Sequence, residues 1–71
     1  MRLTKRETQI LHLITYEYST DEIASQLFLS KYTILSHRKN ILRKLRAKNT
    51  AGIVRKGIQL GYVKLGSSIV E

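Results

Sequence analysis

Ser19-Thr20-Asp21-Glu22-Ile23-Ala24-Ser25-Gln26-Leu27-Phe28-Leu29-Ser30-Lys31-Tyr32-Thr33-Ile34-Leu35-Ser36-His37-Arg38-Lys39-Asn40-Ile41-Leu42-Arg43-Lys44-Leu45 reads as two helices joined by a tight turn. Ser19 and Glu22 have capping-box spacing, in which each side chain satisfies the other's backbone N–H. The helix they open runs from Thr20 to Leu27, about two turns, and should bury Ile23, Ala24 and Leu27. Phe28-Leu29 makes the turn, and Ser30 caps the next helix with its hydroxyl aimed at amides of the first turn. That helix runs from Lys31 to about Leu45.

Upstream, Thr4 and Glu7 form a second capping box, so a helix should run from Lys5 to about Tyr16. Its Ile10, Leu11, Leu13 and Ile14 have helical spacing and should face inward. Downstream, Arg46-Ala47-Lys48 is a basic connector, and Asn49 or Thr50 can cap a further helix reaching about Leu60. Gly61 stands where a left-handed C-cap is expected. Ile53 and Leu60 share one stripe of this last helix, with Gly57 alongside, and should close the core. Helices, short loops and no alternating strand pattern predict an all-α, four-helix, bundle-like domain over residues 1–63. Residues 64–71, with Gly66-Ser67-Ser68, show no pattern and are expected to form a mobile C-terminal tail.

Charge is distributed unevenly. No acid occurs between Ile23 and Val70, while Lys31, Arg38, Lys39, Arg43, Lys44, Arg46, Lys48, Arg55, Lys56 and Lys64 all do. The net charge of +8 on 71 residues implies an anionic partner, and charge alone leaves nucleic acid, an acidic membrane and an acidic protein open. A membrane surface fits poorly, because no strongly apolar face is left free for lipid. No apolar run approaches the roughly 20 residues of a membrane span, and the N-terminus has no signal-peptide h-region, so a cytoplasmic location is expected. With no Cys and only His12 and His37, neither a disulfide framework nor a convincing zinc site can form. No nucleophile–base pair, Gly-rich phosphate loop or paired carboxylate stands out, which argues against an enzyme, and no cofactor is implied.

The third helix decides the function. Ile34, Ile41 and Leu45 share one stripe, flanked by His37 and Arg38, that should pack on the first two helices. The opposite stripe carries Tyr32, Leu35, Ser36, Lys39, Arg43 and, at its end, Arg46. Such a mixture of basic, aromatic, hydroxyl and apolar groups suits phosphates and base edges. Leu35 reads either as an ordinary exposed leucine or as a contact to a thymine methyl, and periodicity leaves both open. His37 is expected to pack, His12 to lie on the surface, and Tyr16, Tyr18 and Tyr62 to border the core. Lys44 and Arg38 should bury their stems while their charges reach water.

These residues resemble the LuxR-type (NarL/FixJ-type) helix-turn-helix domain of bacterial transcription regulators. Leu3-Thr4-Lys5-Arg6-Glu7 is similar to its opening motif, and Ser19 to Ala24 with Leu27 to Ser30 to its second helix and turn. Thr33 to Ile41 and Lys44-Leu45 are similar to its recognition helix. The resemblance spans about Leu3 to Tyr62. It implies a third helix in the DNA major groove and a fourth helix that commonly forms a dimer seam. It also implies a sensor or receiver domain on another segment or chain. Lys39 matches a position from which family members contact DNA, and Thr33 a hydroxyl that often meets a phosphate. The chain departs from the pattern at Leu35, where Lys is frequent, and at Glu17 and Phe28, where Gly is common and a left-handed backbone is expected.

The expected function is sequence-specific binding of double-stranded DNA. The candidate contacts are Lys31, Tyr32, Thr33, Leu35, Ser36, Arg38, Lys39, Arg43, Arg46 and Lys48. Val54 and Ile58, one turn apart, with Tyr62 one turn further on, are the candidate homodimer interface, with Gly57 allowing two backbones to approach. The competing reading is a protein-interaction or anti-regulator domain that kept the fold and lost DNA binding, and Leu35 is the residue that favours it.

Overall fold

Each helix begins at a residue whose side chain accepts a backbone amide of the first turn. Thr4 Oγ1 accepts from Glu7 N (3.1 Å) and Ser19 Oγ from Glu22 N (3.1 Å), and both glutamates return the bond to the cap amide. Ser30 Oγ accepts from Thr33 N (3.1 Å), and Asn49 Oδ1 from Gly52 N (2.9 Å), so Asn49 caps the last helix. The helices are α1 (Lys5–Thr15), α2 (Thr20–Leu27), α3 (Lys31–Leu45) and α4 (Thr50–Gln59). They are seen in a computed structural model that describes residues 2–63; the expected tail, 64–71, lies outside the described residues.

The helices also stop alike. Glu17 (φ 68°), Phe28 (φ 57°), Arg46 (φ 55°) and Gly61 (φ 84°) each take the left-handed conformation just past a helix. The next amide then reaches back five residues: Tyr18 N to Leu13 O, Leu29 N to Ala24 O, Ala47 N to Leu42 O, Tyr62 N to Gly57 O, all between 2.9 and 3.1 Å. This bond satisfies a carbonyl the helix end would otherwise leave open, and it folds the chain back sharply enough for loops of a few residues. The left-handed backbone expected at Glu17 and Phe28 is present, and Arg46 adopts it as well. A side chain there costs roughly 1 kcal/mol relative to Gly, a cost the surrounding packing has to offset.

α1 and α3 are the centre of the domain. Each packs against all the other helices, whereas α2 and α4 lie to either side and do not meet. Ile10, Leu11, Ile23, Ile34, Ile41 and Ile53 are fully buried, and each contributes about 2 kcal/mol of apolar burial. Ile14, Ala24, Leu45 and Val63 complete the core, while Leu13 and Leu27, expected inside, are only partly buried at its edge. The stripe Ile34, Ile41, Leu45 therefore fixes how α3 is rotated, and everything opposite it faces outward.

The end of α4 differs from expectation. Leu60, the C-cap of α4, is 59% exposed rather than closing the core. Gly61 turns the chain back, Tyr62 N and Val63 N both donate to Gly57 O (2.9 and 3.2 Å), and Val63 takes the inward place. Gly57 is itself buried against α1: a Cβ there would stand 3.0 Å from Leu11 Cδ2. The close approach it permits is thus between α4 and α1, not between two copies of α4. Tyr16, expected at the core border, is the exposed C-cap residue of α1.

Candidate nucleic-acid interface

On α3, Tyr32, Ser36, Lys39 and Arg43 recur every three or four residues and so form one stripe, with Leu35 beside Tyr32 and Lys39. All are exposed, Tyr32 at 81% and Leu35 at 43%. The stripe extends about 16 Å from Tyr32 to Arg43 at the usual helical rise, and exposed Arg46 continues it at the C-cap. The cations at this end of α3 also complement the negative end of its dipole.

The other sequence candidates lie around this stripe in different ways. Lys31 is exposed at the start of α3 and pairs with Asp21 across 3.9 Å; both groups are well solvated, so the pair adds little stability. Thr33 is partly buried and its hydroxyl meets Ser30 Oγ at 2.9 Å, which draws it into the N-cap. Arg38 turns aside from the stripe: its Nη2 donates to Thr50 Oγ1 (2.6 Å) at the start of α4. Arg43 Nη2 donates to Asn40 Oδ1 (3.4 Å), a bond along its own helix that leaves the guanidinium on the outer face. Lys48 is exposed on the loop after α3.

Two features escaped the sequence reading. Lys44 does not carry its charge into water: Nζ donates to Glu7 Oε1 at 2.8 Å and to the Arg2 carbonyl at 3.4 Å, with both partners of the pair largely buried. Burial raises the pKa of Glu7, but the Lys44 hydrogen bond, the Thr4 amide and the Lys44 charge outweigh it and hold the carboxyl below its ordinary value. This pair links the α1 cap to the inner side of α3. The second feature is a concavity of about 310 Å³ where α3 turns into α4, walled by Arg46, Ala47, Lys48, Asn49, Gly52, Arg55 and Lys56. Arg55 and Lys56 stood out only as members of the basic run; the reversal at Arg46 brings them beside the connector, and Lys56 Nζ reaches the Arg46 carbonyl at 3.5 Å.

The acids stand elsewhere. Glu7 is buried and paired, Glu22 is occupied by its cap, and Asp21 and Glu22 complement the positive end of α2. The outward stripe of α3 and the α3–α4 concavity are thus free of carboxylates, so their positive field is not cancelled locally. The candidate dimer residues Val54, Ile58 and Tyr62 are partly buried on the edge of the core. Tyr62 is held further: its hydroxyl accepts from Leu3 N (3.3 Å), and its carbonyl accepts from Nε2 of exposed His12 (2.8 Å). Among the described residues no cluster of His, Cys, Asp or Glu could hold a metal ion, and no helix is long and apolar enough to cross a membrane.

Known proteins share this sequence and architecture. The model of the family described as "Bacterial regulatory proteins, luxR family" matches residues 1–56. The chain is 36% identical over 63 residues to Spore germination protein GerE of Bacillus subtilis (strain 168), covering 89% of this chain and 85% of that protein. It is 36% identical over 63 residues to Transcriptional regulatory protein DegU of Brevibacillus brevis, but there the match spans only 27% of the relative. Transcriptional regulatory protein MctR of Rhizobium johnstonii is 43% identical over 61 residues, again with only 28% of the relative covered. Among solved structures, the response regulator ChrA of a heme-sensing two-component system superimposes with a TM-score of 0.85 at 27% identity, covering 89% of this chain and 31% of that one.

Proposed function

The chain belongs to the luxR family of bacterial regulatory proteins, and we propose that it binds double-stranded DNA sequence-specifically as part of a transcription regulator, with α3 lying in the major groove. One observation carries this reading above the others: the face of α3 opposite Ile34, Ile41 and Leu45 is an exposed stripe holding Lys39, Arg43 and Arg46 with no carboxylate. A helix about 10–12 Å across fits the major groove, and such a stripe offers cations to phosphates and short polar groups to base edges.

In this arrangement Lys39, mid-helix and outward, reaches the groove floor. Arg43, Arg46 and Lys48 lie along the backbone, joined by Arg55 and Lys56 from the neighbouring concavity. Arg38 acts at one remove, bracing the α3–α4 angle through Thr50. α4 supplies a two-fold seam through Val54 and Ile58, so that two copies place two α3 helices about one DNA turn apart, roughly 34 Å. Relatives such as DegU extend far beyond the matched segment, and a sensor or receiver module controlling this domain would lie on another segment or chain.

Selection of bound duplexes from a random-sequence pool tests the reading. Enrichment of a shared half-site, with binding lost in the combined Lys39→Ala, Arg43→Ala variant, is the expected result. Recovery of no shared sequence, with weak binding to all duplexes alike, would favour a protein-interaction domain instead.

A further inference from the structure

The outward stripe of α3 is not uniform along its length. Its N-terminal half presents Tyr32 and Leu35, three residues apart and therefore side-by-side neighbours. Its C-terminal half presents Lys39, Arg43 and Arg46. Lys31, at the N-terminal end, is drawn toward Asp21. Ile34, Ile41 and Leu45 already fill the inner side of α3, and Leu35 stands at the flank of the outward stripe, 43% exposed.

Resting on the DNA-binding reading above, we infer that Tyr32 and Leu35 form an apolar contact for the C5-methyl group of thymine, and that this contact helps set the recognised sequence. In helix-turn-helix docking, the N-terminal part of the recognition helix meets the base edges. Here that part carries, after Lys31 beside Asp21, an aromatic and an aliphatic side chain. The C5-methyl of thymine is the apolar group that a natural base pair presents in the major groove, so it is the complement such a pair can bury. Ser36, one residue on and exposed, offers a hydroxyl to the neighbouring base edge. Beyond Lys39, which reaches the groove floor, Arg43 and Arg46 grip phosphate, which holds the helix in the groove without reading sequence.

Deoxyuridine pairs as thymine does and lacks only that methyl, which makes it the probe. A duplex enriched from a random pool is resynthesised with each thymine in turn replaced by deoxyuridine, and affinity is measured for the unaltered chain and for Leu35→Ala. At one or two positions deoxyuridine should weaken binding about fourfold, the equivalent of one buried methyl. In Leu35→Ala, whose side chain is exposed and whose fold circular dichroism can verify, the thymine-to-uridine ratio at those positions should fall close to one. Equal affinity for thymine and deoxyuridine at every position would overturn the inference and leave DNA binding intact. So would a ratio that persists unchanged in Leu35→Ala. Failure to enrich or bind any duplex would overturn the DNA reading itself, and this inference with it.

Discussion

Lys44 Nζ on α3 and Glu7 Oε1 on α1 lie 2.8 Å apart, and the same carboxylate oxygen accepts the Thr4 amide at 2.8 Å. One atom thus closes the cap of α1 and ties that cap to α3. Because α3 is positioned by its inner side, this pair, together with Ile34, Ile41 and Leu45, helps set the direction its outer stripe faces.

Replacing one partner of a buried ion pair leaves the other charged and poorly solvated. Lys44→Met should therefore lower the unfolding free energy by about 3 kcal/mol, measured by urea denaturation. The pH dependence has a definite sign. The Glu7 carboxyl is held below its ordinary value in the folded state, so its contribution is fully present above that value and is lost as pH falls through the lowered one. Stability should fall in the acid range below the ordinary carboxylate pKa, and Glu7→Gln should remove that part of the fall. A Gln variant with an unaltered acid limb would show that Glu7 does not govern it.

Gly57→Ala sets two effects against each other. Alanine gains about 1 kcal/mol of helix propensity over glycine, but its methyl would meet Leu11 Cδ2 at 3.0 Å and Cδ1 at 3.3 Å. Leu11 is fully buried and has nowhere to retreat, so overpacking should prevail, with a net loss of about 1–2 kcal/mol and a lower Tm. A stabilised variant would mean that Leu11 can repack.

Much of this was legible from local chemistry. Both capping boxes, the Ser30 cap and the bounds of α2 and α3 depend on residues a few positions apart, and the stripe Ile34, Ile41, Leu45 follows from helical period. What could not be read depends on residues distant in sequence. Lys44 finds Glu7 across 37 positions, and no pattern near either announces it. Leu60 looked internal because it shares helical spacing with Ile53, but it is the exposed C-cap of α4, and after the turn at Gly61 Val63 takes the inward place. Arg55 and Lys56 join Arg46 and Lys48 only because the left-handed turn at Arg46 reverses the chain and packs α4 against α3. Gly57 was noticed as a small residue, but which neighbour it admits is a matter of tertiary packing.

Lys39 and Lys48 should fail differently. Lys39→Ala should cost about 1–3 kcal/mol on an enriched site and relax specificity at one position, whereas Lys48→Ala should weaken enriched and random duplexes alike. Competition assays with both kinds of duplex distinguish the roles; identical behaviour of the two variants would contradict them.

Val54→Asp combined with Ile58→Asp tests the α4 seam. Both side chains are only partly buried, so the variant should remain folded by circular dichroism and lose cooperative binding to a duplex with two half-sites. Cooperativity retained by a folded variant would rule out the seam, and an unfolded variant would assign both residues to the core.

Titrating salt against a bound duplex tests most directly whether the cationic face of α3 and the neighbouring loop grip DNA. With roughly four to six phosphates neutralised per protomer, raising salt from about 50 to 200 mM should weaken binding by about 10²–10³-fold. Arg43→Ala or Lys48→Ala should each reduce the slope of log affinity on log salt by about one. A flat salt response, or slopes unchanged in both variants, would contradict DNA binding through this surface.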